Sequence, residues 1–238
     1  MSTKAQYRGG VATFYDGTSF ESVKPLAPIL FEEDFLGKAF NVTHWWTAID
    51  VSSAGLTTPV LLVDGANGLI SLPLDVTSEA QESGLTWGDH RPLVLNRGLV
   101  FECRLALITL PTLLSEAVWG LAGDKNAVAD TVAEGIWFKA DGDGVIVAES
   151  DDATTNNDDK ATGITVVAGA YHIYRIDCTV PTDIKFYVDG ARVAEATTFS
   201  ANAVPTLALQ PYFHNAKASG AGLGDVGVDY VRVWQNRA

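Results

Sequence analysis

The sequence is poor in sulfur and in basic charge, and it has no long apolar run. Its 238 residues include 2 cysteines and 1 methionine, and 16 basic residues against 29 acidic ones give a net charge of −13. Nucleic acids and anionic lipid surfaces bind clustered Lys and Arg, so this deficit argues against both partners. No apolar stretch approaches the roughly 18 residues of a membrane-spanning helix. The start, MSTKAQYRGG, has no apolar segment of the secretion-signal kind, so we expect no conventional export.

The two cysteines, Cys103 and Cys178, both lie in apolar, strand-like segments. Two cysteines are too few for the disulfide framework of a small secreted domain. Two buried free thiols are favoured, since free cysteine behaves as a small apolar side chain, and they suit a reducing compartment. A single bridge between adjacent strands is the alternative.

Strand patterns run along almost the whole chain. Residues 99–107 alternate between apolar and mixed positions, residues 171–178 are rich in aromatic and β-branched side chains, and Asp189-Gly190 stands between two such segments. Alternation with period two indicates half-buried strands, and Asp-Gly is a strong hairpin signal. Helical character is confined to one or two short turns within residues 122–134. The pattern predicts an all-β protein, an antiparallel β-sandwich of the jelly-roll kind.

The first 26 residues differ from the rest and predict a separate N-terminal arm. They contain Gly9-Gly10 and then a second Asp-Gly hairpin at Asp16-Gly17. A lone two-stranded hairpin is marginally stable in water, so the arm must dock on its own domain or on a neighbouring subunit, and the sequence leaves both open. We therefore divide the chain into an arm, residues 1–26, and a sandwich domain, residues 27–238. Aromatic residues dominate interface hot spots, which gives four interface candidates: Tyr7, Phe14, Tyr15 and Phe20.

Two segments near the ends of the sandwich domain carry a family resemblance. Residues 31–37 (FEEDFLG) and 228–234 (VDYVRVW) resemble the first and last strands of concanavalin A-like lectin and glucanase sandwiches. A closer resemblance, over nearly the whole chain, is to sandwich proteins of tailed-bacteriophage virions, through segments such as residues 98–104, 171–177 and 185–190. That resemblance implies a virion component with no established chemistry.

The glucanase resemblance can be tested on the residues that glucanases need. Retaining enzymes use two carboxyl groups about 5–5.5 Å apart, and the family motif is Glu, apolar, Asp, apolar and a second Glu along one strand. The nearest match, residues 149–153, reads ESDDA and lacks the second Glu. The four histidines show no metal-ligand spacing. The sequence therefore predicts that the protein is not an enzyme, with no catalytic residue and no cofactor.

Two weaker binding signals are present. Asp141-Gly142-Asp143-Gly144 supplies oxygen ligands of the type that calcium prefers, but it lies between two strand segments, so a hairpin is favoured and calcium is a weak alternative. Sugar sites use exposed aromatic side chains, and the candidates are Trp45, Trp46, Trp87 and residues 212–214. Adjacent residues of a strand face opposite sides, so one of Trp45 and Trp46 can lie outside the core.

These observations lead to one functional hypothesis and one alternative. The hypothesis is a non-enzymatic bacteriophage virion structural protein, a capsid decoration or cement protein that binds the outer capsid surface. Its partners would be the major capsid protein or other virion proteins, with self-association left open, and it would be assembled in the host cytoplasm and located on the virion. The alternative is a carbohydrate-binding, host-adsorption module of a head or tail fibre.

Overall fold

Three antiparallel sheets make up the fold. The computed structural model describes residues 3–8, 11–20, 22–25, 29–63, 65–112, 114–201 and 206–237. These residues form one sheet of three strands and two of eight strands each. The predicted all-β antiparallel sandwich is confirmed. Within the described residues, no helix is long and apolar enough to cross a membrane.

The N-terminal arm is a three-stranded sheet. Its strands are β1 (Thr3–Arg8), β2 (Val11–Asp16) and β3 (Ser22–Pro25), in the order β1-β2-β3. The turn between β2 and β3 forms because the Asp16 carboxylate accepts hydrogen bonds from the backbone N–H groups of Thr18 and Ser19, both at 2.8 Å. The predicted Asp16-Gly17 hairpin is therefore present, and β1 adds a third strand to it.

The first sheet of the sandwich contains both terminal strands of the domain. Its members are β4 (Ile29–Glu33), β6 (Val60–Leu61), β7 (Ile70–Leu74), β10 (Leu99–Thr109), β15 (His172–Cys178), β16 (Lys185–Val188), β17 (Ala191–Val193) and β19 (Gly224–Gln235). The order is β17-β16-β15-β10-β19-β7-β6, and β4 also pairs with β19. The two segments that carry the family resemblance are thus neighbours in one sheet.

The second sheet carries the longest hairpins. Its members are β5 (Thr47–Val51), β8 (Gln81–Thr86), β9 (Leu93–Val94), β11 (Ser115–Ala122), β12 (Glu134–Asp141), β13 (Val145–Asp152), β14 (Asn156–Thr165) and β18 (Ala208–Lys217). The order is β14-β13-β12-β11-β18-β8-β5, and β9 also pairs with β18. Short 3₁₀ turns cover Leu95–Arg97 and Ala129–Thr131. The second of these is the helical turn predicted within residues 122–134.

The core lies between the two eight-stranded sheets and follows the alternation in the sequence. On β10, Leu99, Phe101 and Cys103 face the core, while Glu102 points to the opposite side. Cys103 and Cys178 are free and fully buried, which agrees with the favoured prediction of two thiols.

Strict alternation of side chains does not hold along β19. Strict alternation places Val228 on the same face as Tyr230, but Val228 and Val231 both lie in the core. A β-bulge explains this: Arg104 pairs with Tyr230 while Leu105 pairs with Val228, so Asp229 has no opposing residue in the backbone ladder with β10. Its carboxylate is ion-paired with the Arg104 guanidinium. A bulge inserts one extra residue and reverses the facing of the side chains beyond it.

Candidate functional site

The outer face of the second sheet brings together aromatic and charged side chains from three central strands. Gly120 on β11 pairs with Trp137 on β12 and with Tyr212 on β18. A side chain at Gly120 would overlap the backbone of β12. The rings of Trp137 and Tyr212, on either side of this glycine, lie 6.1 Å apart. His214 follows on the same face of β18 and stacks on Tyr212 at 5.4 Å.

A loop covers this part of the sheet. Residues 123–133, the β11–β12 loop, place Ala129 and Val132 against Trp137 and Tyr212 in a small apolar cluster separate from the main core. The Tyr212 hydroxyl donates to the Asn126 carbonyl at 3.3 Å. Tyr212 and its neighbour His214 are consequently buried. The prediction that residues 212–214 offer a sugar-binding surface is therefore wrong, because this loop occupies the space above Tyr212 and His214 while Phe213 lies in the main core.

Charged contacts hold the loop on the sheet. The Glu82 carboxylate on β8 lies 2.8 Å from the Lys125 ammonium of the loop and 3.1 Å from His214 Nε2. The hydrogen bonds from His214 and Lys125 lower the pKa of Glu82 to about 2, although burial acts in the opposite direction. At the other side of the loop, the backbone N–H of Ala129 donates to the Glu116 carboxylate at 3.2 Å.

Two carboxyl groups from neighbouring strands meet on one lysine. The Lys139 ammonium on β12 lies 2.8 Å from the Glu149 carboxyl on β13 and 2.8 Å from the Asp159 carboxyl on β14. The Trp137 indole N–H donates to the other Glu149 oxygen at 2.7 Å. Glu149 is buried, whereas the Asp159 side chain is 61% exposed.

The surroundings push the pKa values of these two carboxyl groups apart. Burial raises the pKa of Glu149 to about 7 in spite of Lys139 and Trp137. Burial is also the largest single effect on Asp159, but the hydrogen bonds with Lys139 and Glu149, together with the charges of Lys139 and Lys160, outweigh it and lower the pKa of that carboxyl. A pair of carboxyl groups with separated pKa values is the arrangement that acid–base chemistry uses. Residues 149–153 alone do not reveal this pair, because its members lie on two strands.

Trp45 provides an exposed aromatic surface at one end of the sandwich. Its ring lies 5.3 Å from Phe31 and 6.1 Å from Trp87, and half of its surface is exposed. Trp46 and Trp87 are buried in the core. Trp45 and Trp46 lie before β5 and outside any strand, and both rings contact Phe31, so the strand-based prediction that they face opposite sides does not apply. Of the sugar-binding candidates, only Trp45 is accessible.

An open groove of about 280 Å³ lies beside the segment that carries Trp45. Its polar lining comprises Thr47, Asp50, Thr86, Asp89 and Lys125. Thr47 lies two residues after Trp45, and Asp89 lies two residues after Trp87, whose ring contacts Trp45. The groove and the exposed ring are thus formed by the same two chain segments.

The buried side chain of Gln210 fixes the turn that carries Asp89. Its amide oxygen accepts hydrogen bonds from the backbone N–H groups of Trp87 at 2.9 Å and Asp89 at 3.2 Å. Its amide N–H donates to one carboxylate oxygen of Asp89 at 3.1 Å. The Asp89 carboxylate is therefore held in one orientation at the groove.

The segment with the calcium candidates forms a hairpin. Gly142 and Gly144 both have φ of +76°, a conformation that favours glycine, and the Asp143 carboxylate accepts the backbone N–H of Val145 at 3.0 Å. The turn that joins β12 and β13 accounts for Asp141 and Asp143. In the described ranges, no three His, Cys, Asp or Glu side chains are placed to hold a metal ion.

The arm docks on its own domain at the turn between β2 and β3. The Phe20 carbonyl accepts a hydrogen bond from the Arg175 guanidinium at 3.2 Å, and the Phe20 ring lies over Gly190. Phe14 and Phe20 are partly exposed and Tyr15 is half-buried. The side chain of Tyr7, the fourth interface candidate, lies outside the described residues.

Comparison with known proteins identifies the fold. No protein-family model and no curated protein matches the chain. Among solved structures, the carbohydrate recognition domain of Emp47p is 10% identical, over 86% of this chain and 94% of that one, with a TM-score of 0.55. The laminarinase from Rhodothermus marinus is 14% identical, over 87% and 97%, with a TM-score of 0.56. The fold is concanavalin A-like. At this identity the likeness establishes the fold alone.

The prediction that the protein is not an enzyme is contradicted by these comparisons. Besides the laminarinase, the concanavalin A-like structures that match include the GlcNAcα1-4Gal-releasing endo-β-galactosidase from Clostridium perfringens, 14% identical over 86% of this chain and 62% of that one, with a TM-score of 0.58. The prediction relied on a motif within one strand, whereas the fold joins Glu149 and Asp159 across two strands. None of these matches is described as a virion protein, so the virion assignment has no support from them.

Proposed function

We propose that the protein binds carbohydrate through Trp45 and the groove beside it. The observation that carries the proposal is the accessibility of this ring. Of the 6 tryptophans, all within the described ranges, Trp45 is 50% exposed and the other five are at most 6% exposed. An aromatic side chain has an apolar face and large contact area, which suits the apolar face of a sugar ring. The likeness to a carbohydrate recognition domain and to a laminarinase supports the same ligand class.

The groove adds fixed polar groups to this aromatic surface. Asp89 is oriented by Gln210, and the Thr86 hydroxyl is oriented by the backbone N–H of Gly88, which donates to it at 3.1 Å. Groups that are already ordered lose little conformational entropy when a ligand binds. Sugar hydroxyls are both donors and acceptors, so a carboxylate and threonine hydroxyls can each pair with them.

The charge of the protein favours neutral sugars. A net charge of −13 repels acidic polysaccharides, and the groove itself contains Asp50 and Asp89 against a single Lys125. We therefore expect neutral glucans or galactans to bind more tightly than uronic acid or sulfated polymers.

The test is titration of neutral polysaccharides, laminarin first, followed by calorimetry and tryptophan fluorescence. Trp45→Ala should weaken binding by about tenfold, equivalent to roughly 1.4 kcal/mol of lost ring contact. Phe14→Ala, which removes another partly exposed aromatic ring from the arm, is the matched control and should leave the affinity unchanged. Unchanged affinity in Trp45→Ala, or no binding across a glycan array, would refute the proposal. Reducing-end release should be measured in the same samples, because the structural matches include enzymes.

We also propose, as a second function, that the protein is a virion surface component located on the capsid and assembled in the host cytoplasm. The observation that favours it is the N-terminal sheet, a separate element that pairs with no strand of the sandwich in the described residues and that suits contact with a neighbouring protein. Mass spectrometry of purified particles tests this role. A fixed copy number per major capsid subunit is expected, and its absence from washed particles would refute the role.

A further inference from the structure

The N-terminal arm and the first sheet of the sandwich share an open cavity of about 510 Å³. Ser19, in the turn between β2 and β3, forms one wall of it. Arg104 on β10, with Tyr230 and Arg232 on β19, forms the floor, and the remaining walls come from the segment after β4 and from the β6–β7 loop. A cavity of this size is within the range of small-molecule sites, about 300–1,000 Å³.

The backbone is irregular in three of the segments that line this cavity. The β-bulge at Asp229 adds one side chain to the outer face of β19, and bulges are common beside active sites because they redirect a side chain. Phe35, between the lining residues Asp34 and Leu36, has φ of +51°, and the lining residue Asn67 has φ of +71°. A positive φ is an outlier for a bulky residue such as phenylalanine. Strained backbone clusters at ligand-binding sites, so the convergence of these segments indicates a site.

The arginines that form the floor of the cavity already have carboxylate partners. The Arg104 guanidinium is ion-paired with the Asp229 carboxylate. The Arg232 guanidinium lies 3.5 Å from the Glu32 carboxylate and 3.9 Å from the Glu102 carboxylate. A charged ligand would have to displace one of these partners and leave it without a counter-ion, which is costly in a partly buried site. An arginine–carboxylate pair can still donate and accept further hydrogen bonds, so the cavity suits a neutral ligand that is rich in hydrogen-bonding groups.

We propose that this cavity binds a neutral oligosaccharide and is a second sugar site, separate from the groove at Trp45. Sugar hydroxyls both donate and accept hydrogen bonds, so they can pair with the Arg104 guanidinium, the Asp34 carboxylate and the Asn67 amide. Leu36, which is 70% exposed, adds an apolar surface for the apolar face of a sugar ring. Among the described residues, none lines both sites, so the inference does not depend on binding at Trp45. Two separate sites on one molecule can join two polysaccharide chains.

The test is calorimetry of the full-length protein with laminari-oligosaccharides and β-galacto-oligosaccharides. In Trp45→Ala, the cavity should keep its affinity while the groove is weakened. Added to that variant, Asn67→Gly removes the side-chain amide at a φ that glycine tolerates, and it should weaken the remaining binding about fivefold, through the loss of one hydrogen bond. Leu36→Ala should also weaken it about fivefold, through the loss of apolar contact. Leu56→Ala is the matched control, because Leu56 is 76% exposed and does not line the cavity, and it should have no effect.

A bound sugar should also protect the arm, because Ser19 is part of the cavity wall. In Trp45→Ala, saturating oligosaccharide should slow hydrogen exchange in peptides covering residues 11–20 severalfold, since a ligand that contacts the docked arm stabilises the docked state. Adding Asn67→Gly should reduce this protection at the same oligosaccharide concentration. A purely structural role of Asn67 would not produce a change that depends on the ligand.

Loss of all oligosaccharide binding in Trp45→Ala would overturn the inference, because the groove would then be the single site. Unchanged affinity on adding Asn67→Gly, or equal weakening by Leu36→Ala and Leu56→Ala, would show that the sugar does not enter the cavity. Tighter binding of oligogalacturonides than of neutral oligosaccharides to Trp45→Ala would contradict the ligand class. If the groove proposal alone is wrong, Trp45→Ala binds like wild type while Asn67→Gly still lowers the affinity, so the two failures are distinguishable.

Discussion

Replacing Gly190 with alanine should release the N-terminal sheet from the sandwich while the sandwich stays folded. Gly190 follows Asp189 in the turn between β16 and β17, with φ of +79°. Its missing side chain leaves the space that the Phe20 ring occupies. An added methyl group meets that ring, so the turn between β2 and β3 must move away.

The free-energy cost of Gly190→Ala has two separable parts. An L-residue in the left-handed region costs about 1–2 kcal/mol, and this cost falls on the sandwich. Moving the β2–β3 turn also removes the 3.2 Å hydrogen bond from Arg175 to the Phe20 carbonyl. A hydrogen bond from a charged group contributes about 2 kcal/mol, which corresponds to roughly a 30-fold change in the equilibrium for release of the arm.

Hydrogen exchange with mass spectrometry measures the second part directly. Peptides covering residues 11–20 should exchange about 30-fold faster in Gly190→Ala, while peptides from β10 and β19 keep their protection. Gly169→Ala is the matched control, because Gly169 has φ of +75° and nothing within 4 Å of an added Cβ. It should lose the same 1–2 kcal/mol of global stability with no change in the arm. Equal exchange of the arm in the two variants would refute the argument.

Three further predictions concern buried charges and thiols. Burial raises the native pKa of Glu149 from 4.5 to about 7. The stabilising contribution of this carboxyl group is therefore complete below pH 4.5 and is lost as the pH rises through 7. In urea unfolding, Glu149→Gln should lose less stability than wild type between pH 5 and pH 8, and an identical loss would contradict this. Burial also raises the pKa of both thiols, so Cys103 and Cys178 should react with a thiol reagent only after unfolding. Arg175→Ala should cost about 3 kcal/mol of unfolding free energy, because Glu102 stays buried without its main partner, whereas an unchanged midpoint would contradict that pairing.

The sequence predicted the parts of the fold that depend on local pattern. The alternation in residues 99–107 identified the core face of β10, because side chains on a strand alternate by geometry. Asp189-Gly190 predicted a tight hairpin, and both residues have the positive φ that such a turn requires, +49° and +79°. The bulge at Asp229 could not be predicted, since nothing in its neighbours distinguishes that position from regular strand.

The candidate site depended on features that no single segment contains. Residues 123–133 are predicted only to contain one or two short helical turns, and nothing in them indicates that Ala129 and Val132 cover Tyr212. Glu149 and Asp159 come together because β14 pairs with β13 through two register shifts. Which residues of two strands face each other depends on their register, and that register is set by packing over the whole sheet.

The β11–β12 loop lies between the proposed sugar-binding groove and the carboxyl pair on β13 and β14. It lies across the centre of the second sheet and is held there by Lys125 on one side and by Glu116 on the other. A long polysaccharide therefore cannot run across the sheet from the groove at Trp45 to the carboxyl pair on β13 and β14 while the loop stays in place. Two independent experiments follow, since Trp45→Ala tests the groove and leaves the carboxyl pair intact. Asp159→Asn alters the exposed member of that pair, so a hydrolytic activity that depends on the pair must fall in Asp159→Asn even where polysaccharide binding is unchanged.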